Sequence, residues 1–131
     1  MAELIKGIKG HAEETVTEDK TAAAFGSGDL RVYATPRMLT MMEHTAWASV
    51  EPYMDEGMGT VGTHLDVSHV SASPVGAHIT VDSELTEVDG RRLVFEVRAY
   101  DDAGLIGEGT HERFIIKNEK FMTRTNSKLE G

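Results

Sequence analysis

The stretch TPRMLTMMEHTAWASVEPYM, residues 35–54, decides the fold. Thr35 is a good N-cap, and Pro36 falls at the first helical position, where its missing N–H costs nothing. Leu39, Met42, Ala46, Val50 and Tyr53 recur at three- and four-residue steps, the helical period. The glycines of DEGMG, residues 55–59, then stop the pattern. The reading is one helix over 35–54 with an apolar stripe. Glu43 is its anomaly: four residues after Leu39 and three before Ala46, it puts a carboxylate on the flank of that stripe.

Beyond residue 60 the period becomes two. In TVGTHLDVSHV, residues 60–70, the apolar phase is Val61, Leu65 and Val67, and the other phase is Gly62, His64, Asp66 and Ser68. SPVG, residues 73–76, is a turn or bulge. Ile79, Val81 and Leu85 alternate with His78, Thr80, Asp82 and Glu84. VDGRR signals a hairpin through Asp89-Gly90. Leu93, Phe95, Val97 and Ala99 share the next face, DDAG is a second turn, and LIGEGTHERFIIK is the last long strand, with FMTR extending or capping it. Upstream, residues 8–18 read as an edge strand and AAAFGSGDL, residues 22–30, as a loop or short turn. The order predicts an α+β fold in a hotdog-like arrangement: one long central helix wrapped by an antiparallel β-sheet. The open face and edges of such a sheet ask for cover, which a dimer supplies.

The 131 residues fit one domain, residues 1–131, with a real core. A hydrophobic content of 40% argues against disorder, and a net charge of −9 against sequence-independent nucleic-acid binding. Local arginines or lysines can still hold a small anion. With no cysteine, disulfides, thiolate zinc and a cysteine nucleophile are excluded, and the composition fits a cytoplasmic protein. MAELIKGIKGHAEETV has no apolar core of a secretory signal, no run approaches a membrane span, and TRTNSKLEG reads as a fraying polar tail.

His69 changes the weight of Glu43. It is in phase with Val61, Leu65 and Val67, on the face that should meet the helix. Alone, Glu43 reads as a stripe-edge residue reaching solvent, and His69 as a hydrogen-bonded core histidine. Converging on one helix–sheet interface, they form a pair able to share a proton near neutral pH. Thr35 caps the helix and sits at its positive end. His11, His44, His64 and His78 read as surface or dimer-interface residues. No metal-ligand spacing, dinucleotide fingerprint or serine-hydrolase elbow occurs. Gly107 and Gly109, in phase with His111 and Arg113, would let the sheet pass close under a helix or ligand. Arg113 itself reads first as a surface charge on the last strand.

ATPRMLTMMEHTAWASVEPYM, GTVGTHLDVSHVSASPVG, EVDGRRLVFEVRAYD and GEGTHERFIIKNEKF together resemble the fluoroacetyl-CoA thioesterase-like branch of the hotdog thioesterase superfamily. The resemblance spans residues 32–121 or so. It rests on Thr with Glu eight residues on, Gly with His seven residues on, and GTHER. It implies a homodimer with two interface sites cleaving an acyl-CoA thioester to acid and CoA, and the sequence leaves dimer or tetramer open. No cofactor, metal, nucleic acid or membrane is implied. It assigns Glu43 as nucleophile or general base, His69 as its partner in proton transfer and Thr35 as the orienting hydroxyl. Gly62 and Arg113 become substrate-binding, with an N–H at or near Gly62 polarising the carbonyl. The fluoroacetyl enzyme carries a longer, phenylalanine-bearing lid, whereas AAAFGSGDLRVYA has only Phe25, so fluoroacetyl specificity is not implied. The same acid–base pair would also suit enoyl-thioester hydration or dehydration, and the same tunnel a non-enzymatic acyl-CoA binding module. Met38, Met42 and Trp47 read as core or as pocket lining.

Overall fold

The structure, a computed structural model, describes residues 3–130; the first two residues of the amino-terminal stretch and the last of the tail lie outside them. Five strands, β1 (Lys9–Thr15), β2 (Met58–His69), β3 (His78–Asp89), β4 (Arg92–Asp101) and β5 (Gly104–Lys117), form one antiparallel sheet. Their order is β1-β3-β4-β5-β2, which leaves β1 and the much longer β2 as edges. A short helix, α1 (Ala22–Phe25), precedes the long α2 (Thr35–Val50). A last helix, α3 (Asn118–Asn126), follows β5. The hotdog arrangement and the edge position of β1 hold.

α2 lies on one face of the sheet. Met38, Met41, Met42, Thr45, Ala46 and Val50 are its buried side, at three- and four-residue steps. They meet Ile79, Val81, Leu85, Leu93, Phe95 and Val97, all fully buried. Each such side chain contributes roughly 1.5–3 kcal/mol by leaving water. Met38 and Met41 carry more of the contact than the expected stripe allowed, and Leu39 is only half-buried. Gly107 makes the close approach possible, because a Cβ there would come within 2.6 Å of Met38 Sδ.

Four expectations are corrected. The α-helix stops at Val50, not residue 54, and a 3₁₀ turn, Glu51–Tyr53, follows it, since Pro52 has no N–H to continue the ladder. The N-cap is Ala34, not Thr35, and it makes no side-chain cap bond. AAAFGSGDL is not wholly a loop: Thr21 caps α1 by accepting from Ala24 N at 3.2 Å. FMTR neither extends nor caps β5; it and the start of the tail form α3.

The fifth correction matters most. The ladder between β2 and β5 shifts register between Gly62 and His64, so Thr63 is an extra residue, a β-bulge. Gly62 pairs with Arg113, Leu65 with His111, Val67 with Gly109 and His69 with Gly107. Paired residues share a face. Gly62 therefore joins Leu65, Val67 and His69 under α2, and Val61, paired with Phe114, turns to the outer face instead of joining them.

Candidate active site

Glu43 reaches from mid-α2 towards the β2–β5 seam with its side chain 43% exposed. Its Oε2 lies 3.4 Å from Arg113 Nη1. Arg113 is buried, so the surface-charge reading fails. Two bonds tie it to β2: Nε donates to Thr60 Oγ1 at 2.8 Å and Nη2 to the Thr60 carbonyl at 2.9 Å. Nη1 also lies 3.2 Å from His111 Nε2. A guanidinium only donates, so Nε2 accepts and the ring hydrogen sits on Nδ1, which donates to the His64 carbonyl at 2.8 Å. Burial, aided by the Arg113 charge, holds His111 below the usual histidine range despite that carbonyl bond. His111 is thus a neutral imidazole of fixed tautomer, bracing the guanidinium that faces Glu43.

Gly62 closes this group. A Cβ there would collide with Glu43 Oε2 and lie 3.2 Å from His111 Cε1 and 3.3 Å from Arg113 Nη1. Only a residue without a side chain leaves the carboxylate its place.

Thr35 and His69 make a second group. Thr35 Oγ1 is 2.7 Å from His69 Nδ1, so the hydroxyl serves the imidazole and not the helix end. His69 Nε2 is buried without a hydrogen-bond partner. Burial also holds this ring below the usual histidine range, opposed by the nearby Ser71 backbone, which makes no hydrogen bond to Nε2. The pair opens on a hollow of about 310 Å³ walled by Ala22, Val32, Val70 and Ala72.

Within the chain the two groups stay apart. Among the described residues no hydrogen bond or ion pair joins Glu43 to His69, and Thr35 lies about 12 Å from Glu43 along α2. The expected Glu–His convergence is not made inside one protomer.

Thr60 and His111 were not singled out from the sequence, although alternation put His111 beside Arg113. Also unforeseen is the clamp before α2. Tyr33 OH donates to Glu14 Oε2 at 2.6 Å, and Arg37 Nε donates to the same oxygen at 3.0 Å. Burial pushes the Glu14 carboxyl up, but the bonds from Arg37 and Tyr33 outweigh it and its pKa falls. The clamp fixes the chain two residues before Thr35. Of the remaining histidines, His11 and His78 lie on the outer face, both bonded to Glu13, His64 is exposed, and His44 tilts against Trp47 on the exposed side of α2. Among the described residues no cluster of three or more ligating side chains suits a metal ion, and no helix is long and apolar enough to cross a membrane.

Known proteins share this architecture. A Thermus thermophilus thioesterase superfamily member superposes with a TM-score of 0.91 at 26% identity, covering 99% of this chain and 96% of its own. A mutant of the fluoroacetyl-CoA-specific thioesterase FlK superposes with a TM-score of 0.91 at 34% identity, covering 98% and 99%. The helix-on-sheet fold is that of a hotdog thioesterase. The fluoroacetyl-CoA thioesterase of Streptantibioticus cattleyicolor is 42% identical over 97 residues, 74% of this chain and 70% of the relative. The model described as "FlK: Fluoroacetyl-CoA-specific thioesterase" matches residues 16–119. The chain belongs to the fluoroacetyl-CoA-specific thioesterase family.

Proposed function

We propose that this thioesterase hydrolyses small acyl-CoA thioesters at two composite sites, each assembled from Glu43 of one protomer and Thr35 and His69 of its partner. The observation that carries this reading is the buried, unpartnered His69 Nε2, separated from Glu43 within the chain. A buried polar atom without a partner is costly unless a ligand or second subunit supplies one.

β2 offers the geometry. It is a twelve-residue edge strand whose free backbone groups invite an antiparallel copy. With the two-fold axis at Asp66, Leu65 stands opposite the partner's Val67, and the bulge at Thr63 sets Gly62 opposite the partner's His69. Residues so paired share the face under α2. Asp66 itself points to the exposed outer face, where two like charges meeting in water repel least.

At such a site the thioester carbonyl lies between Glu43 and the partner's His69. Glu43 either adds to the carbonyl carbon, forming an anhydride that water then cleaves to the acid and the free carboxylate, or takes a proton from the water that adds in its place. The C–S bond breaks, the thiolate leaves as CoA, and His69, neutral at rest, relays the proton from water to sulfur. Thr35 holds the imidazole through Nδ1, and an N–H at Gly62 or nearby stabilises the oxyanion. The hollow's small side chains fit a short acyl group. A Thr-to-Ser variant of FlK has been solved with acetyl-CoA at 34% identity. Fluoroacetyl-CoA, the substrate named for the relatives, belongs with acetyl-CoA at the head of the panel.

Thiol release across acyl-CoAs of graded size tests the activity, with Glu43→Gln expected to abolish it. Unchanged turnover in that variant would sink the reading. Mixing inactive Glu43→Gln and His69→Ala subunits tests the composite site. Subunit exchange should restore about a quarter of the wild-type rate, because half of the dimers are mixed and each carries one intact site. No recovery from demonstrably mixed dimers would mean that each site belongs to one chain.

A further inference from the structure

The charge on this molecule is unevenly placed. Of its seven arginines, Arg31, Arg37, Arg92, Arg98 and Arg113 each lie within 4 Å of a carboxylate. The other two, Arg91 and Arg124, have no such partner among the described residues, and they converge. With Lys117 and Lys120 they wall a hollow of about 230 Å³ whose apolar lining is Ile116 and Phe121. Four cations thus share one hollow on a chain of net charge −9. Lys117, Lys120 and Arg124 also border a neighbouring hollow together with Glu56 and Glu119, neither of which lines this one.

This arrangement opposes folding when empty. Lys120 and Arg124 stand four residues apart on α3, where like charges repel across one helical turn. Lys117 at the end of β5 and Arg91 in the turn before β4 bring two more positive charges to the same corner. Such a cluster is at rest when an anion occupies it. Two or more phosphate groups suit four donors of this kind, and the 36% exposed Phe121 ring adds a flat wall for a base.

The position agrees with one anion in particular. Lys117 lies on the same strand face as Arg113, four residues on, a rise of about 13 Å. That is within reach of a pantetheine arm whose thioester sits at Glu43. We infer that the corner of Arg91, Lys117, Lys120, Phe121 and Arg124 binds the 3′-phosphoadenosine diphosphate end of coenzyme A. The inference rests on the thioesterase reading for its substrate, but the corner's affinity for the nucleotide can be measured without turnover.

Two substrates with the same acyl group decide it: the CoA thioester, and the N-acetylcysteamine thioester, which lacks every phosphate. Lys120→Ala/Arg124→Ala should raise KM for the CoA ester about tenfold or more, with kcat held, and leave kinetics on the truncated ester as in wild type. Lys6→Ala/Lys9→Ala, which removes the same charge from the far edge, should change neither. Equal KM values for the CoA ester in the corner variant and wild type would overturn the inference. So would a matching loss on the truncated ester, or the same KM rise from the far-edge variant, either of which would trace the effect to the fold or to overall charge. Calorimetric titration with adenosine 3′,5′-bisphosphate gives the independent arm. Binding by wild type and its loss in the corner variant would support the subsite even if no thioester were hydrolysed, a result that would sink the proposed activity alone. No binding by wild type would overturn the subsite while leaving the activity standing.

Discussion

At the scale of the residue, Gly62 is held to its identity by the Glu43 carboxylate lying where a side chain would begin. Gly62→Ala should lower kcat about 100-fold by displacing that carboxylate, while the thermal midpoint, read by circular dichroism, barely moves, since an extended position accepts alanine. Arg113→Met should act differently, leaving Thr60 Oγ1 and His111 Nε2 without their donor; about 1–3 kcal/mol of stability should go, read by urea unfolding. The site was legible in part. Glu43 stood out against an apolar stripe, and alternation carried His69 to the right face. His111 did not stand out, because a histidine between two glutamate-rich positions of an exposed-looking strand carries no sign that its neighbours are buried. Nor did the sequence separate Glu43 from His69: phase gives a face, not a distance along it.

Secondary structure was legible where periodicity was clean and was lost where one residue broke it. β3, β4 and β5 alternate on the helix side through most of their length, with register shifts at Leu85/Glu87 and Ala99/Tyr100, and their bounds were read to within a residue or two. β2 carries its bulge where Gly-Thr-His looks like ordinary alternation, so Val61 was put on the wrong face. α3 was missed because it buries nothing among the described residues, so its sequence has no apolar stripe to find. Two elements offer direct tests. Gly107→Val should push against Met38 and cost about 1–3 kcal/mol in urea unfolding, since the contact lies between β5 and α2 and both are fixed by other packing. Tyr33→Phe removes the bond to Glu14 and should cost about 1 kcal/mol. If the clamp positions Thr35, that variant should also lower kcat without raising KM.

For the whole molecule, pH dependence follows from two imidazoles that burial keeps neutral. His69 and His111 both have pKa values below the ordinary 6.5 in the folded state. Their contribution to stability is intact above pH 6.5 and is lost as the pH falls through their lowered values, because the unfolded chain binds protons that the fold refuses. Urea midpoints should therefore drop as the pH falls below 6.5, and His111→Gln should flatten that drop. On the dimer reading, Leu65→Arg should yield monomers in sedimentation and remove activity together. The bulge at Thr63 bears on assembly too. Gly62 and His69 are seven positions apart, an odd number, and a regular strand sends odd separations to opposite faces. One surplus residue makes the count even. Deleting Thr63 would leave six positions, already an even count, so Gly62 and His69 would keep their common face on a regular strand. One residue inserted beside the bulge would instead restore the odd count and turn the two halves of the site away from each other. An active deletion variant and a folded insertion variant without turnover are the expected results, because the reaction here depends on arithmetic as well as on chemistry.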